Sequence, residues 1–399
     1  VLWALAGACA SSGIAQAPPV QALSVALLDG RVLSADALVG DPVAGYVVRG
    51  PRGEVRVAAD QLLALHGSAV QDAGLPAFWL AGGDVLRGAL AGGDEAGDVL
   101  EVQSPVFDRL PVPVDRLLAL TRTGDLRPEQ LVLPAGVAEG LFVRARLGFD
   151  LLTGSVHQFG ERGVRFAATG QTEPSWRGLD ELVGLRIADP LPRDGTTAAI
   201  LWTRTGDRLG VDVVAGTAEG LQVQLEQGRP ALVRWRDVAS VCWLGRAVHL
   251  SEQEPVQVVE AGCDGEVLYP WQRDRAVLGG PLVAGGRSYG KGLGVHSLCR
   301  LVYRVPDGVA AFWTRLALDD TAAALPLRPA VAARVLVDQQ VVWSTDVLRP
   351  GGEPVDLGLL PVRPGQRLVL EVDFGPGRDL GDRAAWLLPV FLPERTKSE

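Results

Sequence analysis

A chain of 399 residues is long enough to divide into several domains with their own buried cores, and a formal charge of −9 gives it none of the basic surface that dominates nucleic-acid binding. Hydrophobic residues make up 47% of the chain but aromatics only 6%, and 49 glycines and 27 prolines favour many short strands and tight turns over long helices. The composition therefore predicts an all-β protein with no nucleic-acid partner.

The first segment, VLWALAGACASSGIAQA, joins an apolar run to small residues with A-x-A patterns ending at Ala10 and Ala17. This is the layout of a signal-peptide remnant over residues 1–17. Ala6-Gly7-Ala8-Cys9 is close to a lipoprotein cleavage box but lacks the leucine three residues before the cysteine, which makes lipid anchoring at Cys9 a side reading. No other apolar run reaches the roughly 18 residues that a membrane helix needs. The expectation is an exported protein, periplasmic, cell-surface or extracellular, with no transmembrane helix in the mature chain. The four cysteines, Cys9, Cys242, Cys263 and Cys299, form no C-x-x-C pair and have no histidine at ligand spacing, which disfavours zinc. A Cys242–Cys263 bridge and buried free thiols are both open readings.

Four segments then share one layout, starting at Leu27, Trp79, Phe149 and Trp202, the third being the most divergent. Counting from Leu33, Leu86, Leu152 and Leu209, a new strand begins 12 or 13 residues later at Tyr46, Val99, Val164 and Leu221. An aspartate closes each unit 27 to 29 residues after its leucine, at Asp60, Asp115, Asp180 and Asp237. Alternating side chains such as Val47, Arg49 and Val55, Val57 mark strands, and the aspartates are expected to cap a short helical turn. The units predict small SH3-like or Sm-like β-barrel repeats, or half-sandwiches that pair with a neighbour, over residues 22–66, 77–120, 141–187 and 198–245. Joints rich in glycine and proline separate them.

After Val241 the pattern stops. GGRSYGKGLGVHS, from Gly285 to Ser297, comes within one residue of the phosphate-binding pattern G-x-x-x-x-G-K-[ST]. Gly292 stands where the metal-binding hydroxyl is needed, and SLCRLVYRV downstream alternates as a strand, with Cys299, Leu301, Tyr303 and Val305 on one side. A nucleotide cradle is excluded on both counts. The runs FWTRLAL, VAARVLV, VVWSTDV and RLVLEVDF add strands of the same kind, and Asp338-Gln339-Gln340 forms a hairpin turn. Together they predict a two-sheet sandwich or jelly roll over residues 255–393.

GGRSYGKGLGVHSLCRLVYRV, the strand ending LALDD, VLVDQQVVWST and GDRAAWLLPVFL together resemble the NPCBM family, the novel putative carbohydrate-binding modules found beside glycoside hydrolases and on exported bacterial proteins. The resemblance covers residues 268–392 and implies a galactose-binding-like β-sandwich with a non-catalytic, sugar-binding role. Two stretches depart from it. Asp382-Arg383-Ala384-Ala385-Trp386 replaces a D-H-A-D-W run, and Asp338-Gln339 replaces Asp-Gly. Arg383 and Ala385 thus put sugar binding by the same surface in question. The preceding repeats resemble, more loosely, those of planctomycete-type exported proteins that carry this module.

Candidate sugar contacts are Tyr289, Lys291, His296, Trp313 and Trp386, the tryptophans because an aromatic face suits the C–H side of a pyranose. Core packing is the alternative for each tryptophan, and a satisfied structural histidine the alternative for His296. Asp319 and Asp320 are candidate oxygen ligands for a structural calcium ion, against a solvated turn. No cofactor is otherwise expected. The chain has no G-x-S-x-G elbow, and its four histidines, His66, His157, His249 and His296, fall in different units. The expected function is that of an exported, non-enzymatic carbohydrate-binding protein with the repeats as scaffold. The alternatives are an envelope structural protein with protein partners and, third, a hydrolase or its accessory chain.

Overall fold

The computed structural model describes residues 23–394, apart from 72–73, 124–125, 194, 268 and 377. The signal-peptide and lipid readings, Cys9 included, lie outside the described residues.

Residues 23–243 are built four times over the same path. In the first unit the opening strand Leu23–Leu27 pairs with both Val32–Ala35 and the closing strand Leu62–His66, while Ala37–Asp41, Gly45–Gly50 and Gly53–Val57 form a meander between them. The opening strands Ala77–Leu80, Glu139–Arg144 and Ala199–Thr203 do the same with the closing strands Leu117–Thr121, Leu182–Ile187 and Val238–Trp243. Alternation explains why these stretches are strands. In Val99–Ser104, Leu100 and Val102 are fully buried while Gln103 between the strand's buried positions faces water. The spacing residues fall at matching places. Leu33, Leu86, Leu152 and Leu209 lie in the second strand of each unit, and Tyr46, Val99, Val164 and Leu221 lie at or next to the start of the meander's middle strand.

The closing aspartates correct one expectation. Asp60, Asp115 and Asp237 sit inside short 3-10 turns, Ala59–Gln61, Val114–Arg116 and Trp235–Asp237, whose cap positions are Ala58, Pro113 and Arg234. None of the three turns has a side-chain cap, because each aspartate lies past the position from which its carboxylate could accept the free amides.

The four units share one apolar core that runs from Leu23 to Val241. They join in pairs through their closing strands: His66, Leu65 and Ala64 oppose Ser240, Val241 and Cys242, tying unit one to unit four, and Leu120 opposes Leu185, tying unit two to unit three. Buried carboxylates join units two and four. Asp207, fully buried, accepts from the Thr205 hydroxyl at 2.7 Å, from the Thr203 hydroxyl and from the Arg87 amide at 2.6 Å. Asp84 accepts from the Gly210 amide at 2.9 Å and lies 3.5 Å from Arg193. Burial drives both carboxyls above the usual range, against the pull of these hydrogen bonds.

The C-terminal region is a two-sheet sandwich. One sheet runs Gln272–Arg273, Gly292–Val295, Ala384–Pro393, Val309–Leu318 and Val355–Asp356. The other runs Gln257–Glu260, Cys299–Arg304, Arg367–Phe374, Val331–Val337 and Gln340–Leu348. Leu293, Phe312, Leu316, Trp386 and Phe391 of the first face Leu301, Tyr303, Leu370, Val372 and Val335 of the second across an apolar core.

Sandwich and repeat body are packed together. Trp313, Leu388, Val390 and Leu392 of the sandwich form one cluster with Ala26, Leu63, Ala64 and Cys242 of units one and four. Beside it the hairpin Leu282–Ala284/Arg287–Tyr289 docks through hydrogen bonds: the Val70 amide donates to Ser288 Oγ at 2.8 Å, the Ala69 amide to the Gly286 carbonyl at 3.0 Å, and Ser240 Oγ accepts from the Gly290 amide at 3.3 Å. The Tyr289 ring lies 4.3 Å from that of His66, centroid to centroid. Burial holds His66 down to about 3, so it is a neutral imidazole here. Only glycine fits at position 290, where an added Cβ would come within 2.4 Å of the Trp202 ring.

Candidate functional site

One end of the sandwich opens into a cleft of about 300 Å³. Two segments far apart in sequence form its sides: the loop after Gln257–Glu260, which brings Glu266, Val267 and Tyr269, and the turn before Ala384–Pro393, which brings Asp379, Leu380 and Arg383. His296, just past Gly292–Val295, lies between them. Its ring stands 5.3 Å from that of Tyr269 with the planes 41° apart, giving the cleft a tilted aromatic wall. Val267, Tyr269, Leu278, Leu327 and Leu380 are all more than 40% exposed, so the lining presents apolar surface to solvent as well as polar groups.

The polar groups are held by local bonds. Glu260 Oε1 accepts from the Trp271 amide at 2.7 Å, and burial still lifts its carboxyl above the usual range. Asp379 Oδ2 accepts from the Cys263 amide at 2.7 Å. Arg383 Nη1 donates to the Thr321 carbonyl and hydroxyl at 3.3 and 3.1 Å. Beneath the floor, Ser297 Oγ donates to Asp382 Oδ2 at 2.6 Å. Asp382 is fully buried, and that burial pushes its carboxyl up to about 6 despite the Ser297 bond.

This last shift has a measurable sign. An unfolded aspartate titrates near 3.9, so between about pH 4 and pH 6 the folded chain holds a proton that the unfolded chain has released, and stability falls as pH rises through that window. The contribution is about 1–3 kcal/mol. Asp382→Asn is expected to remove it, so urea unfolding at pH 4.5 and pH 7 should show a smaller drop in the variant than in the wild type. An unchanged drop would place the titration elsewhere.

Of the candidate sugar contacts named from the sequence, only His296 lines the cleft. Tyr289 is 3% exposed and lies at the junction with the repeat body, its hydroxyl accepting from Arg315 Nη1 at 3.2 Å. Lys291, also 3% exposed, pairs with Glu252 at 2.8 Å and Asp274 at 2.9 Å. Burial pulls its ammonium down, but the two carboxylates outweigh burial and hold it charged. Trp313 is buried in the junction cluster with Nε1 donating to Asp356 Oδ1 at 3.0 Å, and Trp386 is buried in the sandwich core. Neither offers a ring face to a sugar. These four are corrected from ligand contacts: Tyr289, Trp313 and Trp386 pack inside the protein, and Lys291 is held in its ion pairs.

Asp319 and Asp320 are likewise engaged. Asp319 accepts from the Thr321 amide and hydroxyl at 2.9 and 2.5 Å and from the Val283 amide at 3.3 Å, capping the short helix Asp320–Ala323. Asp320 accepts from the amides of Gly285 and Gly286 at 2.9 and 2.7 Å. The pair clamps the docking hairpin, and among the described residues no cluster of three or more acidic, histidine or cysteine side chains is arranged to hold a metal. Cys242 and Cys263 are free. The Cys242 thiol is buried against His249 Nε2 at 3.4 Å, while Cys263 is exposed, so no bridge joins them. Of the two departures in the D-R-A-A-W run, Arg383 reaches the cleft, whereas Ala385 is buried in its strand. Sequence reasoning missed Tyr269, Glu260, Glu266 and Asp379. The one local signal was an aromatic cluster, Tyr269-Pro270-Trp271, in a polar glycine-bearing loop.

Residues 246–392 match the family model of the NPCBM/NEW2 domain. Curated proteins give no match. Among solved structures the chain is similar to the CBM51 of Clostridium perfringens GH95 in complex with methyl-galactose, at 20% identity over 36% of this chain and 99% of that one, with a TM-score of 0.33. It is similar to CBM51-2 in complex with GlcNAc and INT domains from Clostridium perfringens ZmpB, at 22% identity over 46% of this chain and 37% of that one, with a TM-score of 0.32. It is also similar to the tandem CBM51 modules of the family 98 glycoside hydrolase from Streptococcus pneumoniae, at 11% identity over 93% and 88% of the two chains, with a TM-score of 0.32.

Proposed function

We propose that the protein binds glycans, seating a sugar in the cleft walled by Tyr269 and His296, and that the four-unit body holds the sandwich without itself reacting with the ligand. The observation that carries this reading is the cleft itself: an open aromatic wall, exposed apolar lining and several polar side chains, all within the segment that matches the NPCBM/NEW2 domain. A pyranose has an apolar C–H face and a rim of hydroxyls, and this lining offers a partner to each. Binding without hydrolysis is favoured because two of the three cleft carboxylates, Glu260 and Asp379, already accept backbone amides, which leaves Glu266 alone where a hydrolase needs a pair of carboxyls at the scissile bond. Export is part of the same proposal, and no helix among the described residues is long and apolar enough to cross a membrane.

The test is a glycan array probed with the full chain and with Tyr269→Ala. Tyr269 is 44% exposed, so its loss should leave the fold intact. The expected result is binding to at least one glycan class by the wild type and a loss of about tenfold or more in affinity in the variant. Equal binding by both proteins would remove the cleft from the account.

A further inference from the structure

The third unit carries a surface that neither the cleft nor the family match accounts for. Trp176, in the strand Ser175–Gly178, is the single exposed tryptophan among the described residues, at 55%. Its neighbours explain how a large apolar ring stays there. Across the meander, Trp176 opposes Arg165, and Arg165 opposes Gln158, so the three side chains form a row on the outer face of the sheet. The alternate residues Phe159, Val164 and Phe166 point the other way and are buried.

Two residues along from Gln158, Gly160 leaves the floor bare. An added Cβ there would come within 2.9 Å of Trp176 Cη2 and 3.0 Å of Cζ3. The Cη2–Cζ3 edge of the indole's six-membered ring therefore lies against the glycine, while the side chain as a whole stays exposed. The guanidinium of Arg165 is exposed and has no ion pair among the described residues. Gln158 Nε2 donates to the Asp94 carbonyl at 3.4 Å, which leaves its amide oxygen as an acceptor.

We propose that Trp176, Arg165 and Gln158 form a second glycan-contact site, a flat platform on which a pyranose stacks its C–H face while its hydroxyls meet the guanidinium and amide. A ring whose edge is already braced against Gly160 loses little freedom when a ligand covers it, and stacking of this kind tolerates many sugars. The site stands on its own geometry and does not depend on the cleft. Together the two would give one chain two points of attachment to a single polysaccharide, raising its retention above that of either alone.

Affinity electrophoresis of the full chain through gels containing soluble galactan, mannan, β-glucan or chitin oligomers tests it. Four proteins are compared: wild type, Trp176→Ala, Tyr269→Ala and the double variant. Each single variant should be retarded less than wild type on the same polysaccharide, with the platform variant weakened about three- to tenfold, and the double variant should not be retarded. Trp176→Phe should retain part of the effect. Gly160→Ala, which pushes the ring off its floor, should resemble Trp176→Ala. Thermal melts of each variant check that the fold is kept. If Trp176→Ala is retarded as strongly as wild type, the platform only shields Gly160 and the proposal is overturned while the cleft reading stands. If Tyr269→Ala behaves as wild type but Trp176→Ala does not, the platform stands and the cleft reading fails. If no gel retards the wild type, both fail.

Discussion

Residues 246–394 expressed without the preceding units are expected to lose cooperative unfolding. The family match outlines this segment as a module, but the structure does not leave it with a complete surface. Trp313, Leu388, Val390 and Leu392 are each at most 2% exposed, and their cover includes Ala26, Leu63, Ala64 and Cys242 of the repeat body. Burying a large apolar side chain is worth about 1.5–3 kcal/mol. Uncovering several at once is comparable with the whole stability of a domain, about 5–15 kcal/mol. The hydrogen bonds of Ser288 and Gly290 to the repeat body would be lost with them. Differential scanning calorimetry of the fragment beside the full chain, with dye binding to report exposed apolar surface, checks this. A fragment that melts as sharply and as high as the full chain would show that the junction contributes little.

The second large effect is that of Trp386→Ala. This side chain is 1% exposed among Leu293, Leu316 and Phe391, and its strand pairs on both sides, with Gly292–Val295 and with Val309–Leu318. Truncating a fully buried tryptophan costs about 3–5 kcal/mol, through lost burial and the cavity left behind. Urea denaturation should show the midpoint fall by that equivalent. At a temperature where the variant is still folded, glycan affinity should stay near the wild-type value. A variant of unchanged stability that no longer binds sugar would return Trp386 to the ligand.

Strand character was legible in the sequence wherever alternate residues of a strand face a packed core. Cys299, Leu301, Tyr303 and Val305 alternate with Arg300, Val302 and Arg304 and lie in the sandwich core as the pattern requires. The repeat was legible because leucine, strand start and aspartate recur at near-constant spacing, and the four opening and closing strands follow it. What the pattern did not hold is which finished surfaces then cover one another. Tyr289, Lys291 and Trp313 are residues that suit a ligand site, yet they are buried. The partners of the docking hairpin are distant: His66 meets Ser288 across 222 residues. No local period encodes a contact of that range.

The cleft shows the same limit. Its walls come from loops around Tyr269 and Arg383 that irregular sequence joins to unrelated strands; His296 and Arg383 lie in recognisable motifs, while Tyr269 and the wall around it do not. The stretch from Gly285 to Ser297 therefore serves two places. Its first half, Gly285 to Gly290, docks the sandwich on the repeat body, and its last residues, His296 and Ser297, form part of the cleft.

The most direct test of sugar binding in the cleft follows the imidazole resonances of the histidine-labelled full chain during titration with the best glycan from the array. The chain has four histidines, of which His66 and His249 are buried away from the cleft. The account predicts that His296 shifts saturably while His66 and His249 stay fixed; saturable binding with His296 unmoved would contradict it.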